Sequence, residues 1–328
     1  MLLFIVGTGR SGTSLMQSML ASHSEIAYLP ETIFFRRFVV NRGKGTNLNA
    51  WISEQNKSEI VAYLNGDRYF QRTRMDASDL FGHDEAVFPD SPIALYSALL
   101  QEKKQLDRCG IVGDKDPKSI EHLRVLYAFD PAAFVIQMVR DPRDVLVSRK
   151  KAEWSKGHSL IKHLFAIRIQ SRLANRYFAS AINQKYIRIK YEMLIRNPEL
   201  ELKNICERLN IDFESRMLDF GRVAKSLVSK EEYSWKKETT GDLIRDNFDN
   251  WPRELSKYEI AMTETICENV FLNEGYELSK AISEITVGEK FQVRFYQLLV
   301  PAADLIYQIF NWIKNKASVD AINKRSSV

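Results

Sequence analysis

The segment Met1-Leu-Leu-Phe-Ile-Val-Gly-Thr-Gly-Arg-Ser-Gly-Thr-Ser-Leu-Met16 joins an apolar run to a glycine-punctuated loop and the opening of a helix. Gly7, Gly9 and Gly12 permit tight turns, so that successive N–H groups and the positive end of the helix dipole converge on one oxyanion. These are the residue types of a phosphate cradle, with Gly9, Arg10, Ser11, Gly12, Thr13 and Ser14 as its candidate contacts. The spacing from Gly7 to Gly12 fits G-x-x-x-x-G-K-[ST], but Thr13 occupies the lysine position and the cation has moved to Arg10. In nucleoside triphosphatases that lysine reaches the β- and γ-phosphates. Its replacement argues against ATP or GTP hydrolysis and for a nucleotide with a shorter phosphate chain. The same glycines match the G-x-G-x-x-G dinucleotide fingerprint, which also wants an acidic residue ending a second strand about twenty positions on. The stretch His23-Ser-Glu-Ile-Ala-Tyr-Leu-Pro30 reads as too short for that crossover and strand.

The elements that must position this loop follow from patterning. Ala132-Ala-Phe-Val-Ile-Gln-Met-Val139 is a β-rich run that stops at Arg140-Asp-Pro-Arg-Asp-Val-Leu-Val-Ser148, a second strand-to-helix junction. There Asp141 can cap and Pro142 suits the first turn. Lys185–Tyr191 reads as a shorter strand, Pro198–Leu209 as an amphipathic helix and Ile111-Val112 as part of a fourth strand. Strands separated by long helical stretches such as Leu160–Ile182 imply an α/β fold, a P-loop-like parallel sheet flanked by helices, with ligands outside the carboxyl ends of the strands. Arg10 and Arg140 then face one crevice. Residues 32–108 read as helices and loops covering the site. From Phe291 to Ile313, Leu298, Ala302, Leu305, Ile306, Ile309, Phe310 and Ile313 share one face of a C-terminal amphipathic helix. Polar residues interrupt it too often for a membrane span. Its face either packs on the body or docks on a membrane surface or a dimer partner through residues 291–316.

At 328 residues with 45% hydrophobic and 27% charged composition, the chain can bury a substantial core. The formal charge of +5 favours an anionic ligand or surface, yet the basic residues are scattered, which argues against nucleic acid. Cys109, Cys206 and Cys267 lack metal or disulfide spacing, so a reducing compartment and no metal are expected. Leu2–Val6 has no basic n-region and leads into the loop, so no signal peptide or N-terminal anchor is expected. The expected location is cytoplasmic, with a membrane-peripheral alternative.

The loop Gly7–Met16, the segment Arg140–Ser148 and Tyr191-Glu-Met-Leu194, in that order, closely resemble the sulfotransferases that use 3′-phosphoadenosine 5′-phosphosulfate (PAPS). The first resembles the family's 5′-phosphosulfate loop, and the second its 3′-phosphate motif, an arginine and a serine eight residues apart. The resemblance runs to about Tyr276. It implies a sulfotransferase domain over residues 1–280, with residues 281–328 as a helical extension. It further implies PAPS as co-substrate, with Arg140 and Ser148 on the 3′-phosphate and Tyr191 against the nucleotide. Sulfuryl transfer needs in-line displacement at sulfur, a cradle for the leaving phosphate, an anchor for the 3′-phosphate and a base for the acceptor hydroxyl. Arg10 can offset charge growing on the bridging oxygen.

Glu31, in Tyr28-Leu-Pro-Glu31-Thr, follows the loop helix and resembles the glutamate of the tyrosylprotein and Golgi-type carbohydrate branches; it is the candidate base, with His23 and His122 as alternatives. Gly113-Asp-Lys115-Asp-Pro117 resembles an element of the same branches that places a lysine near the transferring group. Ser234 and Lys236 are candidate lid contacts; the R-K-G lid of the cytosolic branch is missing. Sulfuryl transfer to a hydroxyl acceptor is therefore expected. A saccharide or glycolipid is favoured over a tyrosine or small alcohol, and Phe34, Phe35, Trp51, Tyr69 and Phe70 are read as either sugar-stacking or core. A P-loop kinase and a non-catalytic nucleotide-binding scaffold are the competing classes.

Overall fold

In the computed structural model, which describes residues 1–41, 57–81, 89–180, 185–227, 244 and 247–326, five parallel strands form one sheet. They are β1 (Leu2–Gly7), β2 (Ile26–Tyr28), β3 (Ile111–Lys115), β4 (Phe134–Val139) and β5 (Tyr186–Lys190), in spatial order β2-β3-β1-β4-β5. Leu3 stands opposite Phe134 on one side of β1, and Ile5 opposite Lys115 on the other. Because β1 is central and covered on both faces, its sequence is a continuous apolar run. Leu3 and Ile5 enter one core with Leu15, Met16 and Met19 of the first helix, while Phe4 and Val6 enter the other with Phe34, Phe35 and Tyr96. The segment read as too short for a strand does form one: β2 is three residues long and pairs with β3 at the sheet edge. An edge strand needs little more than Ile26, Ala27 and Tyr28 to complete a core face.

The helices that matter for the site are α1 (Thr13–Leu20), α2 (Pro92–Leu106), α3 (Leu123–Phe129), α4 (Pro142–Lys151), α5 (Leu160–Ser180), α6 (Tyr191–Arg196), α7 (Pro198–Leu209), α8 (Lys257–Ile266), α9 (Glu268–Glu274) and α10 (Val287–Ser326). Pro142 and Pro198 each sit in a first turn, where a missing N–H costs nothing. The chain enters α1 and α4 directly from β1 and β4, so both junctions open at the carboxyl edge of the sheet.

The 40-residue α10 lies against α3, α5, α8 and the turn Phe35–Val40. It buries Val293 and Val300 in one apolar cluster and Ile322 in another, but between Pro301 and Ser318 its buried residues are Asp304, Gln308, Asn311, Asn315 and Ser318. Asp304 Oδ2 accepts from Arg168 Nε at 2.7 Å and Arg172 Nη1 at 2.5 Å. Asn311 and Asn315 donate to the Glu121 carbonyl at 2.9 and 3.0 Å, and Ser318 Oγ donates to the Val40 carbonyl at 2.7 Å. Leu298, Leu305, Ile306, Ile309, Phe310 and Ile313 of the apolar face are exposed rather than packed on the described body. Among the described residues, no helix is long and apolar enough to cross a membrane.

Candidate active site

A cleft of about 600 Å³ opens over the carboxyl ends of the strands, with the loop after β1 at one end and α5 and α10 at the other. The loop is shaped by steric need. A Cβ on Gly7 would come within 2.6 Å of the Met138 carbonyl, and one on Gly12, whose φ is +93°, within 2.4 Å of the Tyr191 ring. Glycine is therefore required at both for the loop to close against β4 and Tyr191. Gly9 lines the cleft with open space around it, so its lack of a side chain is not needed for packing. Arg10 itself holds φ at 80°, an unusual conformation for a residue with a side chain, at the centre of the loop. Among the described residues, no side chain caps α1, which leaves its first N–H groups available to a ligand.

Four strand ends converge on the loop after β1, whose Arg10 and Ser14 line the cleft. Arg10 Nε donates to Ser148 Oγ of α4 at 2.9 Å. Arg140, at the end of β4, donates from Nη1 to the Arg10 carbonyl at 3.4 Å and from Nη2 to the Asn247 carbonyl at 2.7 Å. Its guanidinium also lies 4.2 Å from the centroid of Tyr191, the residue that follows β5. Asn247 Nδ2 in turn donates to Tyr191 Oη at 3.0 Å. Lys115, at the end of β3, is 1% exposed; its Nζ donates to Ser14 Oγ at 3.3 Å and pairs with Glu31. The structure thus gathers Arg10, Ser14, Glu31, Lys115, Arg140, Ser148 and Tyr191, which are scattered over 180 positions of the chain.

The Arg140-Asp-Pro-Arg-Asp segment is held by its neighbours. Asp141 caps α4 through the Arg143 N–H at 2.8 Å and accepts from the Arg143 guanidinium at 3.0 and 2.7 Å. Arg143 also reaches Glu264 of α8 at 2.7 Å. Asp144 accepts from the N–H groups of Asp249, Asn250 and Trp251 at 2.7, 3.0 and 3.1 Å, fixing the loop that carries Asn247. Burial raises the Asp144 carboxyl above its ordinary range. Glu192 accepts from the Asp141 N–H and from Tyr276 Oη, both at 2.9 Å, which ties β4 to β5 and explains the glutamate beside Tyr191.

Other readings resolve differently. His23 is engaged with the Asp212 carbonyl and the Glu25 N–H. His122 is buried against Asn315, where desolvation pushes it down to about 4. Phe34, Phe35 and Phe70 are core residues, whereas Tyr69 lines the cleft with Ile33, Arg36 and Arg72. Trp51, Ser234 and Lys236 lie outside the described residues. Unforeseen in the sequence is the far wall, formed by Arg149, Trp154, His158, Lys162 and Tyr307. Arg149 is 6% exposed; its Nε donates to His163 Nδ1 at 3.2 Å, and no carboxylate pairs with it among the described residues. Burial pushes its guanidinium down to about 10. The one signal available was its place directly after Ser148.

The family model for the sulfotransferase family matches residues 3–215. The chain belongs to that family. Among its relatives, carbohydrate sulfotransferase 1 of Rattus norvegicus is 20% identical over 335 residues, covering 86% of this chain and 80% of that protein. A putative protein-tyrosine sulfotransferase of Caenorhabditis briggsae is 23% identical over 220 residues, covering 66% and 68%. The sulfotransferase domain from the curacin biosynthetic pathway superposes with a TM-score of 0.56 at 19% identity, covering 84% of this chain and 98% of that one, a likeness of fold. As a sulfotransferase-family enzyme the chain has sulfuryl transfer as its chemistry, and its sheet is the α/β, P-loop-like sheet expected from the sequence.

Proposed function

We propose that this protein transfers a sulfuryl group from PAPS to a hydroxyl of a carbohydrate or glycolipid acceptor. The observation that carries the reading is the buried Lys115 ammonium, which touches Ser14 of the loop on one side and Glu31 on the other. Orphaned polar atoms support the fit of the donor. Among the described residues, Ser11 Oγ and Arg140 Nε are buried without a hydrogen-bond partner, beside a helix N-terminus that no side chain caps. Gly9 to Ser14 would hold the 5′-phosphosulfate, Arg140 and Ser148 the 3′-phosphate, and Tyr191 the nucleoside.

The donor supplies the sulfuryl group and a phosphate leaving group. Glu31 accepts the proton of the acceptor hydroxyl as the new O–S bond forms and the S–O bond to phosphate breaks. Lys115 and Arg10 stabilise charge on the transferring group and the departing oxygen. The products are a sulfate ester and adenosine 3′,5′-bisphosphate. Arg149 and Lys162 in the far wall favour a saccharide that already carries an acidic group.

Calorimetric titration tests the donor site. Adenosine 3′,5′-bisphosphate should bind without metal and more tightly than NAD or ATP with Mg²⁺, and Arg140→Ala should weaken it by ten- to a hundredfold, the worth of about 1.5–3 kcal/mol in a charge-assisted hydrogen bond. A preference for ATP would reject the reading. An acceptor screen on neutral and acidic saccharides then follows.

A further inference from the structure

Helix α10 presents its faces in the reverse of the usual order. Phe291, Leu298, Leu305, Ile306, Ile309 and Phe310 are each 50% exposed or more, while Asp304, Gln308, Asn311 and Asn315 point inward. The rotation of the helix is fixed. Turning it to bury the apolar face would take Asp304 from Arg168 and Arg172, and both asparagines from the Glu121 carbonyl.

The charges around this face identify its occupant. Between Lys290 and Lys316 the only acidic residue is Asp304, which is buried in its ion pairs; Glu289, just before, is held in the Thr286 cap, and the exposed Asp320 lies one turn beyond Lys316. The cations lie at the two ends, Lys290 and Arg294 at one and Lys314 and Lys316 at the other, with no lysine or arginine between 295 and 313. A second copy of this chain is a poor match. A parallel pairing sets each cationic end against itself and an antiparallel pairing sets one against the other, with no exposed carboxylate between them. An anionic bilayer matches both ends at once: headgroups take the cations, and the Phe, Leu, Ile and Trp312 side chains enter the acyl boundary. From Phe291 to Ile313 the helix runs about 33 Å, long enough to lie along the interface.

We propose that α10 docks the protein on the anionic surface of a lipid bilayer, in the plane of the headgroups, with its Asp304 side toward the body. The proposal is independent of the reaction assigned to the cleft. Since Tyr307 of the same helix lines the cleft, docking brings the cleft to about one helix diameter, ~10 Å, from the membrane.

The full chain would be floated with vesicles of phosphatidylcholine containing about 30% phosphatidylserine, with pure phosphatidylcholine as comparison. Binding to the anionic vesicles is expected, weaker on neutral vesicles by on the order of a hundredfold and reduced by high salt. The double substitution Leu298→Glu/Leu305→Glu, at two exposed positions, should abolish flotation while leaving the thermal midpoint and bisphosphate binding unchanged. Wild-type protein that stays unbound would overturn the proposal whatever the variant does. So would sedimentation showing a dimer that the same substitutions dissociate, with vesicle binding unaffected.

Discussion

At the scale of single residues, the proposed roles in binding and in proton transfer fall on side chains that are held differently. Arg140 is tied to backbone carbonyls and to the face of Tyr191, so its position is set before any ligand arrives. Glu31 is different: its carboxylate is a quarter exposed and pairs with Lys115. Replacing it with glutamine keeps the shape and hydrogen-bonding reach but removes the basic oxygen. Glu31→Gln should cut turnover by about 10²–10⁴-fold, the usual contribution of a positioned base, and leave bisphosphate affinity within about twofold. Single-turnover kinetics beside calorimetry makes the distinction. Unchanged turnover would remove Glu31 as the base, and lost affinity would make it part of the donor site.

At the scale of elements, helix α10 is held by a buried carboxylate as well as by apolar packing. Asp304 is 1% exposed and holds two arginines of α5 on one oxygen. Asp304→Asn keeps the volume and removes the charge. Because Arg168 and Arg172 retain partial contact with water, the expected loss is about 1–3 kcal/mol, below that of a fully buried pair. Urea unfolding reads this as a lower midpoint at constant slope, and an unmoved midpoint would assign the anchoring to Asn311, Asn315 and Ser318 instead. The same helix marks what the sequence leaves open. Periodicity identifies its apolar stripe but cannot state which stripe is buried, since that depends on Arg168, Arg172 and Glu121 far away in the chain. Local signals were sufficient elsewhere: the Pro198–Leu209 helix and the Asp141-Pro142 start of α4 appear as read. The meeting of the glycine loop with the Arg140–Ser148 segment was legible, because both are adjacent in sequence to the strands that carry them. Arg149, Trp154 and Tyr307 come together only through the packing of α4, α5 and α10, so no spacing announces them.

At the scale of the whole molecule, stability depends on pH through buried groups that pull in opposite directions. His122 and His163 are each pushed down to about 4, by burial first and, for His163, by the neighbouring Arg149 as well. The unfolded chain therefore binds more protons than the native one between about 4 and 6.5, so their contribution is present above that window and is lost as the pH falls through it. Asp114 behaves oppositely. Burial in β3 raises its carboxyl to about 7, against the hydrogen bond from Tyr96 Oη at 2.6 Å and with Asp116 adding to the rise and Lys115 opposing it. Here the native state holds a proton that the unfolded chain has released, so the contribution is full below about 3.8 and is lost as the pH climbs to about 7. Asp114→Asn removes this second slope while the amide oxygen can still accept from Tyr96. The stability difference, variant minus wild type, should then grow with pH between about 4 and 7, by at most about 1.4 kcal/mol per unit, and level off above. Urea midpoints of both proteins across that range measure it. A difference that stays flat would mean that Asp114 is ionised throughout, with the Tyr96 hydrogen bond and the Lys115 charge outweighing the cost of its burial.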